Sequence, residues 1–524
     1  MVAALEAAIM TALSRRHFIG LSSGLLVAAT LPGCALTKEY QTGAQLTSTA
    51  DLPEQFTVPL PVPRTAKPTD RDGADHYEIT QRNAEVEILP GKKTPILGYD
   101  GEFPGPTIVS RSQRPTVVKH TNELDIPVVV HLHGGHTPPS SDGFPIDFVM
   151  PKGTHEKPHG HAAGGDIKHG HFAYEYPMRQ RAATLWYHDH RMDFTGPTVY
   201  HGLAGFHLVH DDEEDALPLP KGERDIPLMI ADRAFDGDGA FIYPALDPTM
   251  SEEPGVEDAY MEGVLGDVVL VNGAPWPELE VDAARYRFRI LNASNARRYR
   301  LRLDPGPSSG HAFTQIGSDG GLLARPSGHD DIITAPAERF DVVIDFSKYA
   351  VGDTITMRND LGDGSTANVM RFRVTRKASD DSEVPRELSQ IEELDPGAAT
   401  VTREFEFTLG GPTSDHSGMW LINGKPYDPE RIDAKPRRGE IEVWRFITDV
   451  HHPVHVHLDP FQVTRRGGRG PGPYDKGWKD TVDVRPGEVV EVAIRFADYA
   501  GKYVMHCHNL EHEDMMMMSN FETL

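Results

Sequence analysis

Residues 503–518 read YVMHCHNLEHEDMMMM. This stretch holds Cys507, one of 2 cysteines in 524 residues, with His506 and His508 on either side and His512 shortly after. On a β-strand, successive side chains point to opposite faces. Read as a strand, the stretch sends Cys507 one way and His506 and His508 the other. A thiolate, two imidazoles and a weak thioether form the donor set of a blue-copper electron-transfer site. His452 and His512 can complete such a site with Cys507. Met517 is the candidate thioether, and Met515, Met516 and Met518 compete for that role. The flanking imidazoles are then free to bind other metals on the far face, on the order of 10 Å away from strand rise and side-chain reach.

Three further His-x-His pairs lie outward from this stretch: His131/His133 in HLHG, His188/His190 in WYHDH and His455/His457 in HPVHVH. Each sits in a short apolar segment bounded by turn residues, the pattern of a strand. Each pair aims two imidazoles into one space, and imidazole suits copper, zinc and iron. A single pair among 26 histidines says little, because buried histidines are commonly satisfied core residues. Four pairs on strand-like segments point to a shared metal centre.

The strand-like segments recur in three series with one rhythm, seen in APAERFDVVIDF at 335–346 and RPGEVVEVAIRF at 485–496. This predicts an all-β protein of three related β-sandwich domains, at 46–215, 216–380 and 381–524, with a charged interdomain linker over 376–400 across the last boundary. Turns dominate, in keeping with 49 glycines and 42 prolines. The Pro-rich run 51–70 reads as an extended strap. The histidine pairs fall in the first and third series, so the middle domain is expected to be structural. The segment 151–172 holds five histidines in a turn-rich context and reads as a solvated loop; an extra copper site or a substrate rim is the sharper alternative.

The formal charge of −26 excludes nucleic acid and anionic membrane as partners and suits a soluble exported protein. Arg15 and Arg16 precede an apolar run of roughly 15 residues, short of the ~20 needed to span a bilayer. That is the form of a twin-arginine export signal, within an N-terminal region 1–45 expected to be flexible, and Met10 is an alternative start. Cys34, in LPGC, is a candidate lipid-attachment site. Its loss with the leader leaves Cys507 alone, so no intrachain disulfide forms.

HLHGG, WYHDH, HPVHVHLDPFQV and HCHNLEHEDMMMM resemble the copper signatures of the multicopper oxidases. VNGAPWPELEV, YRFRILNAS and QIGSDGGLL…APAERFDVVIDF are similar to the branch containing spore-coat laccase, bilirubin oxidase and phenoxazinone synthase. The resemblance spans about residues 50–524 and implies three cupredoxin-like Greek-key domains with four coppers. It implies a type 1 copper on His452, Cys507, His512 and Met517, the family's spacing selecting Met517. It further implies a type 2 copper on His131 and His455, and a type 3 pair on His133, His188, His190, His457, His506 and His508. Asp142 and Glu513 are implied as proton relays for dioxygen reduction.

The expected protein is thus a monomeric, exported, laccase-like oxidase. It takes single electrons from small phenols or aromatic amines, bilirubin among the candidate donors, and reduces dioxygen to water. The donor site is expected in an open pocket close to His512. A cuprous oxidase for copper detoxification is the alternative, disfavoured because methionines outside the terminal run are scattered. A copper-free scaffold on the same fold and a two-copper nitrite reductase fit the full ligand complement less well.

Overall fold

The computed structural model describes residues 41–154, 164–412 and 414–524. The leader with Arg15, Arg16 and Cys34, and His155, His159 and His161 of the histidine-rich segment, lie outside the described residues. His169 and His171, also of that segment, are exposed.

Strands dominate, and helices are few and short, so the all-β expectation holds. Alternating apolar residues drive the strands to pair as sheets with one face buried. A five-stranded and a four-stranded sheet drawn from residues 69–210 enclose a core of Tyr77, Ile79, Val118, Ile108, Leu132 and Leu185. A seven-stranded and a five-stranded sheet from residues 225–377 enclose Ile230, Phe288, Ile290, Leu301, Val342 and Phe372. Two five-stranded sheets from residues 401–523 enclose Phe407, Trp444, Phe446, Val492, Cys507 and Met517.

Connections tie these sheets to one another. Within the Pro-rich run, Leu60 N donates to Glu278 O (2.8 Å) and Thr65 bridges Thr107, so the strap spans the middle and first sheets. Residues 41–45, expected to be flexible, are held instead. Strand Ala44–Gln45 pairs in parallel with Val264–Leu265, and Gln41 both donates to and accepts from the backbone of Arg298. The pairing removes orphan backbone groups that a free strap would leave to water.

A buried ion network fastens the first sheets to the middle ones. Glu214, in the short helix Asp212–Ala216 that follows the last strand of the first series, meets Arg287 Nη2 at 2.5 Å and Arg289 Nη2 at 3.0 Å. Arg289 also grips Asp225, and Arg287 grips Asp341. Burial opposes the Glu214 charge, but the two guanidiniums outweigh it and hold the carboxyl well below the usual range. A depressed carboxyl pKa stabilises the fold above the unfolded-state value of about 4.3, and the contribution fades as pH falls below it. We expect Glu214→Gln to cost about 1–3 kcal/mol at neutral pH, because two buried guanidiniums lose one of their carboxylate partners. The cost should shrink as pH falls below 4, read from denaturant midpoints; a pH-independent cost would rule out the charge as its source.

Candidate metal centre

Antiparallel pairing of strand His452–Val456 with strand Gly501–Cys507 sets Val454 opposite Cys507 and His455 opposite His506. Alternation then sends Cys507 into the third core and His506 toward the first sheets. Cys507 Sγ lies 3.3 Å from His452 Nδ1 and 3.6 Å from His512 Nδ1, and those two nitrogens are 3.0 Å apart. The outer nitrogens are held: His452 Nε2 by Asp449 Oδ1 (3.1 Å) and His512 Nε2 by the Glu262 carbonyl (3.2 Å). With protons fixed outside, both Nδ1 atoms offer lone pairs inward. Burial pushes the Cys507 thiol up, against the Asn509 N–H on its sulfur, so the sulfur becomes an anion only beside a cation. Burial also holds His452 and His512 below the usual imidazole range. This donor set fits a copper ion.

Met517 is fully buried in the same core as Cys507, and its carbonyl accepts Cys507 N (3.1 Å). Met518 pairs with His506 and packs with Met516 into a different cluster, around Phe144 and Val504. Met515 packs partly buried at the edge of the Cys507 core. The run of four is thus divided by which core each residue enters.

The eight paired imidazoles converge on one space between the first and third sheets. Register sets His131 opposite His188 on strands Val130–His133 and Ala183–Asp189. His131 stacks on His457 at 3.8 Å between centroids, and His133 on His455 at 3.7 Å. His190 Nε2 lies 3.2 Å from His506 Nε2, which lies 3.4 Å from His457 Nε2. Outer nitrogens again carry the proton: His131 Nδ1 donates to Asp142 O (2.6 Å), His188 Nδ1 to Asp189 O (2.8 Å) and His455 Nδ1 to Asp480 O (2.8 Å). His133 is reversed, with Nε2 on Asp480 Oδ1 (3.0 Å) and Nδ1 inward. The inward atoms His131 Nε2, His133 Nδ1, His188 Nε2, His455 Nε2 and both nitrogens of His508 are buried with no hydrogen-bond partner. Burial, then repulsion from neighbouring rings, keeps His131, His457 and His508 far below the usual imidazole range. Buried polar atoms without partners are costly unless something binds them, and neutral imidazoles aimed inward are ligands for copper.

Two buried carboxyls flank this space. Asp142 Oδ2 meets His457 Nδ1 at 2.8 Å, and Glu513 Oε2 lies 3.0 Å from His506 Nδ1. Burial and Asp147 raise the Asp142 carboxyl far above the usual range. Burial also opposes ionisation of Glu513, but His506 and His190 outweigh it and hold the carboxyl at about 2. The two acids are therefore pushed apart, Asp142 as a proton holder and Glu513 as a fixed anion. Nearby, Asp514 receives Thr195 N and Gly196 N, both at 2.7 Å, and so anchors the helix Leu510–Asp514 that carries His512 and Glu513.

A cavity of about 430 Å³ reaches His131, His455 and His457 and is walled by Arg179, Gln180 and Trp478. Among the described residues, no open pocket exposes His512. His512 is fully buried, because Trp420 stacks on its ring at 3.7 Å and the Glu262 carbonyl caps its outer edge. Trp420 is itself fixed by Nε1 on Met261 O (3.0 Å). A single tryptophan within an apolar strand gives no sequence signal of a cover. Asp480 also escaped sequence reading, since nothing in WKDT marks it as a partner of His133.

Residues 80–214 and 398–524 each match a family model described as multicopper oxidase. A laccase of Bacillus stratosphericus is 37% identical over 523 residues, covering 89% of this chain and 98% of that one. A bilirubin oxidase of Albifimbria verrucaria is 34% identical, covering 89% of this chain and 81% of that one. The crystal structure of a multi-copper oxidase from Pediococcus acidilactici aligns with a TM-score of 0.78 at 30% identity, over 92% of this chain and 93% of that one.

Because the Cys507 triad and the imidazole cluster share no donor atom, they should fill independently. We expect Cys507→Ser to lose the blue absorption and one copper per chain while the histidine-held copper stays, measured by metal analysis and absorbance. Retention of full colour would overturn the triad.

Proposed function

The chain belongs to the multicopper oxidase family, and from that premise we propose that it is a laccase-like oxidase of phenols and aromatic amines. One observation carries the reading: a thiolate triad and an eight-imidazole cluster lie on opposite faces of one strand, joined through the consecutive residues His506, Cys507 and His508. In this reading His452, Cys507, His512 and Met517 hold one copper. His131 and His455 hold a second, and His133, His188, His190, His457, His506 and His508 hold a pair. Copper so held supplies one-electron redox chemistry that couples donor oxidation to the four-electron reduction of dioxygen to water.

The residues of the chain divide the remaining work. Cys507 gives the shortest covalent route between the two sites. The cavity above His131, His455 and His457 gives dioxygen a way in and water a way out. Asp142, kept protonated by burial and in contact with His457 Nδ1, is placed to deliver one of the four protons the reaction consumes. Glu513 stays ionised and orients His506 and His190. Trp420 and residues 261–262 keep the donor off His512, so the electron crosses by outer-sphere transfer and donor shape matters little. Export by the twin-arginine route belongs to the same reading, supported by Arg15 and Arg16 ahead of the apolar run.

Asp142→Asn should slow reoxidation by dioxygen on the order of 10²-fold, the usual worth of a general acid. Anaerobic reduction by a phenol should change less than about 2-fold, an effect of only ~0.4 kcal/mol. Equal slowing in stopped-flow measurement of both half-reactions would remove Asp142 from proton delivery. For the donor, a dimethoxyphenol should turn over without surplus copper. Cu(I) as sole favoured substrate, with phenol activity vanishing when surplus copper is chelated, would instead make the protein a cuprous oxidase.

A further inference from the structure

The middle sheets supply none of the imidazoles, yet they reach the cluster. Arg339 opens strand Arg339–Asp345 of the seven-stranded sheet and is fully buried. Its guanidinium grips Asp480 with both ends, Nη1 donating to Oδ1 at 2.7 Å and Nη2 to Oδ2. Its other donors go to Thr184 O (3.0 Å), Ala337 O (3.0 Å) and Asp319 O (3.2 Å). All the N–H groups of this side chain are thereby used. A guanidinium held at every donor cannot swing, and its planar fork fixes the carboxylate it faces.

The segment 478–481 is clamped from the same side. Trp478 O accepts Gly320 N (2.7 Å) and Ser318 Oγ (2.9 Å), and Asp319 Oδ2 receives both Asp480 N and Thr481 N at 3.3 Å. Lys479, with no exposed surface, lies 3.1 Å from both Asp319 and Glu338. Room for the pair is reserved in the first sheets, where a Cβ on Gly134 would meet Arg339 Nη2 at 2.8 Å and Asp480 Oδ2 at 2.9 Å.

What this clamp holds is the proton pattern of two ligands. Asp480 Oδ1 accepts from His133 Nε2 (3.0 Å), and Asp480 O accepts from His455 Nδ1 (2.8 Å). His133 comes from the first sheets and His455 from the third. His133 turns Nδ1 inward, the reverse of His131, His188 and His455, because a carboxylate stands at its Nε2. We infer that Arg339 of the middle sheets is a positioning residue for the imidazole cluster. Acting through Asp480, it fixes the tautomer of His133 and the ring angle of His455. The inference rests on the reading that these two histidines hold copper.

The test compares Arg339→Lys with Glu338→Gln in copper-loaded protein. Both disturb the same buried interface, but Glu338 touches neither Asp480 nor a histidine ligand. The readouts are thermal midpoint, copper retention against a chelator, the electron-paramagnetic-resonance signal of the non-blue copper, and the blue absorption as internal control. Arg339→Lys should weaken retention of the histidine-held copper about 10- to 100-fold, the usual effect of losing a partner behind a ligand. It should also alter the non-blue signal and leave the blue band intact, whereas Glu338→Gln should lower only the midpoint. Should Arg339→Lys fail to fold, Asp480→Asn carries the same comparison with the same expected outcome. An unchanged cluster in the folded variant, or an equal change in Glu338→Gln, overturns the positioning role. A wild-type chain that binds no copper at the imidazoles overturns the functional reading beneath it, and the inference with it.

Discussion

Eight imidazoles share one dry space, and a positive charge there is costly. Everything else in this molecule answers to that constraint. Burial disfavours the charged ring, and each neighbouring ring disfavours it further. Neutrality alone is insufficient, because a neutral imidazole still has one donor nitrogen and one acceptor nitrogen. The donors must all point outward, and each must find an acceptor. For six of the eight rings the fold meets this with main-chain carbonyls at Asp142, Asp189, Cys507 and Asp480, and with side-chain oxygens of Asp142 and Asp480. The lone pairs then converge by default.

The acceptors come from rigid neighbours rather than from the ligands' own side chains. Ladder pairing places His131 against His188 and His455 against His506, so two strand registers fix four of the rings. A slip of one residue in either ladder would turn its histidines to the wrong face. The same alternation that gathers His506 and His508 sends Cys507 into an apolar core with Met517. One strand thus specifies two chemically different sites, and neither can move without the other.

Much of this was legible in the chain itself. The i, i+2 spacing of the histidine pairs and the lone cysteine between two of them depend only on strand geometry, so the gathering of the imidazoles on one face and the thiol on the other could be expected from residue order. The division of the four methionines needed the fold, since it turns on which core each side chain enters. The cover on His512 was misread: Trp420 is 92 positions away in sequence, and residues 261–262 are farther still, so their meeting is purely tertiary. The clamp on Asp480 was hidden differently. Asp319 and Arg339 lie in stretches already recognisable as family-like, but a charged residue in a strand motif looks the same whether it faces solvent or a buried carboxylate. Sequence reading accordingly assigned the middle sheets a structural part alone.

The placement of cover and cavity has a consequence for traffic. Trp420 seals the thiolate side of strand Gly501–Cys507, whereas the opening walled by Arg179 and Trp478 leads to the imidazole side. A donor held against the cover and a small molecule entering the cavity would thus meet the protein on different sides of one strand. A bulky donor lodged on the cover would leave the cavity open, and the face around Trp420 can change shape without narrowing the way to the imidazoles.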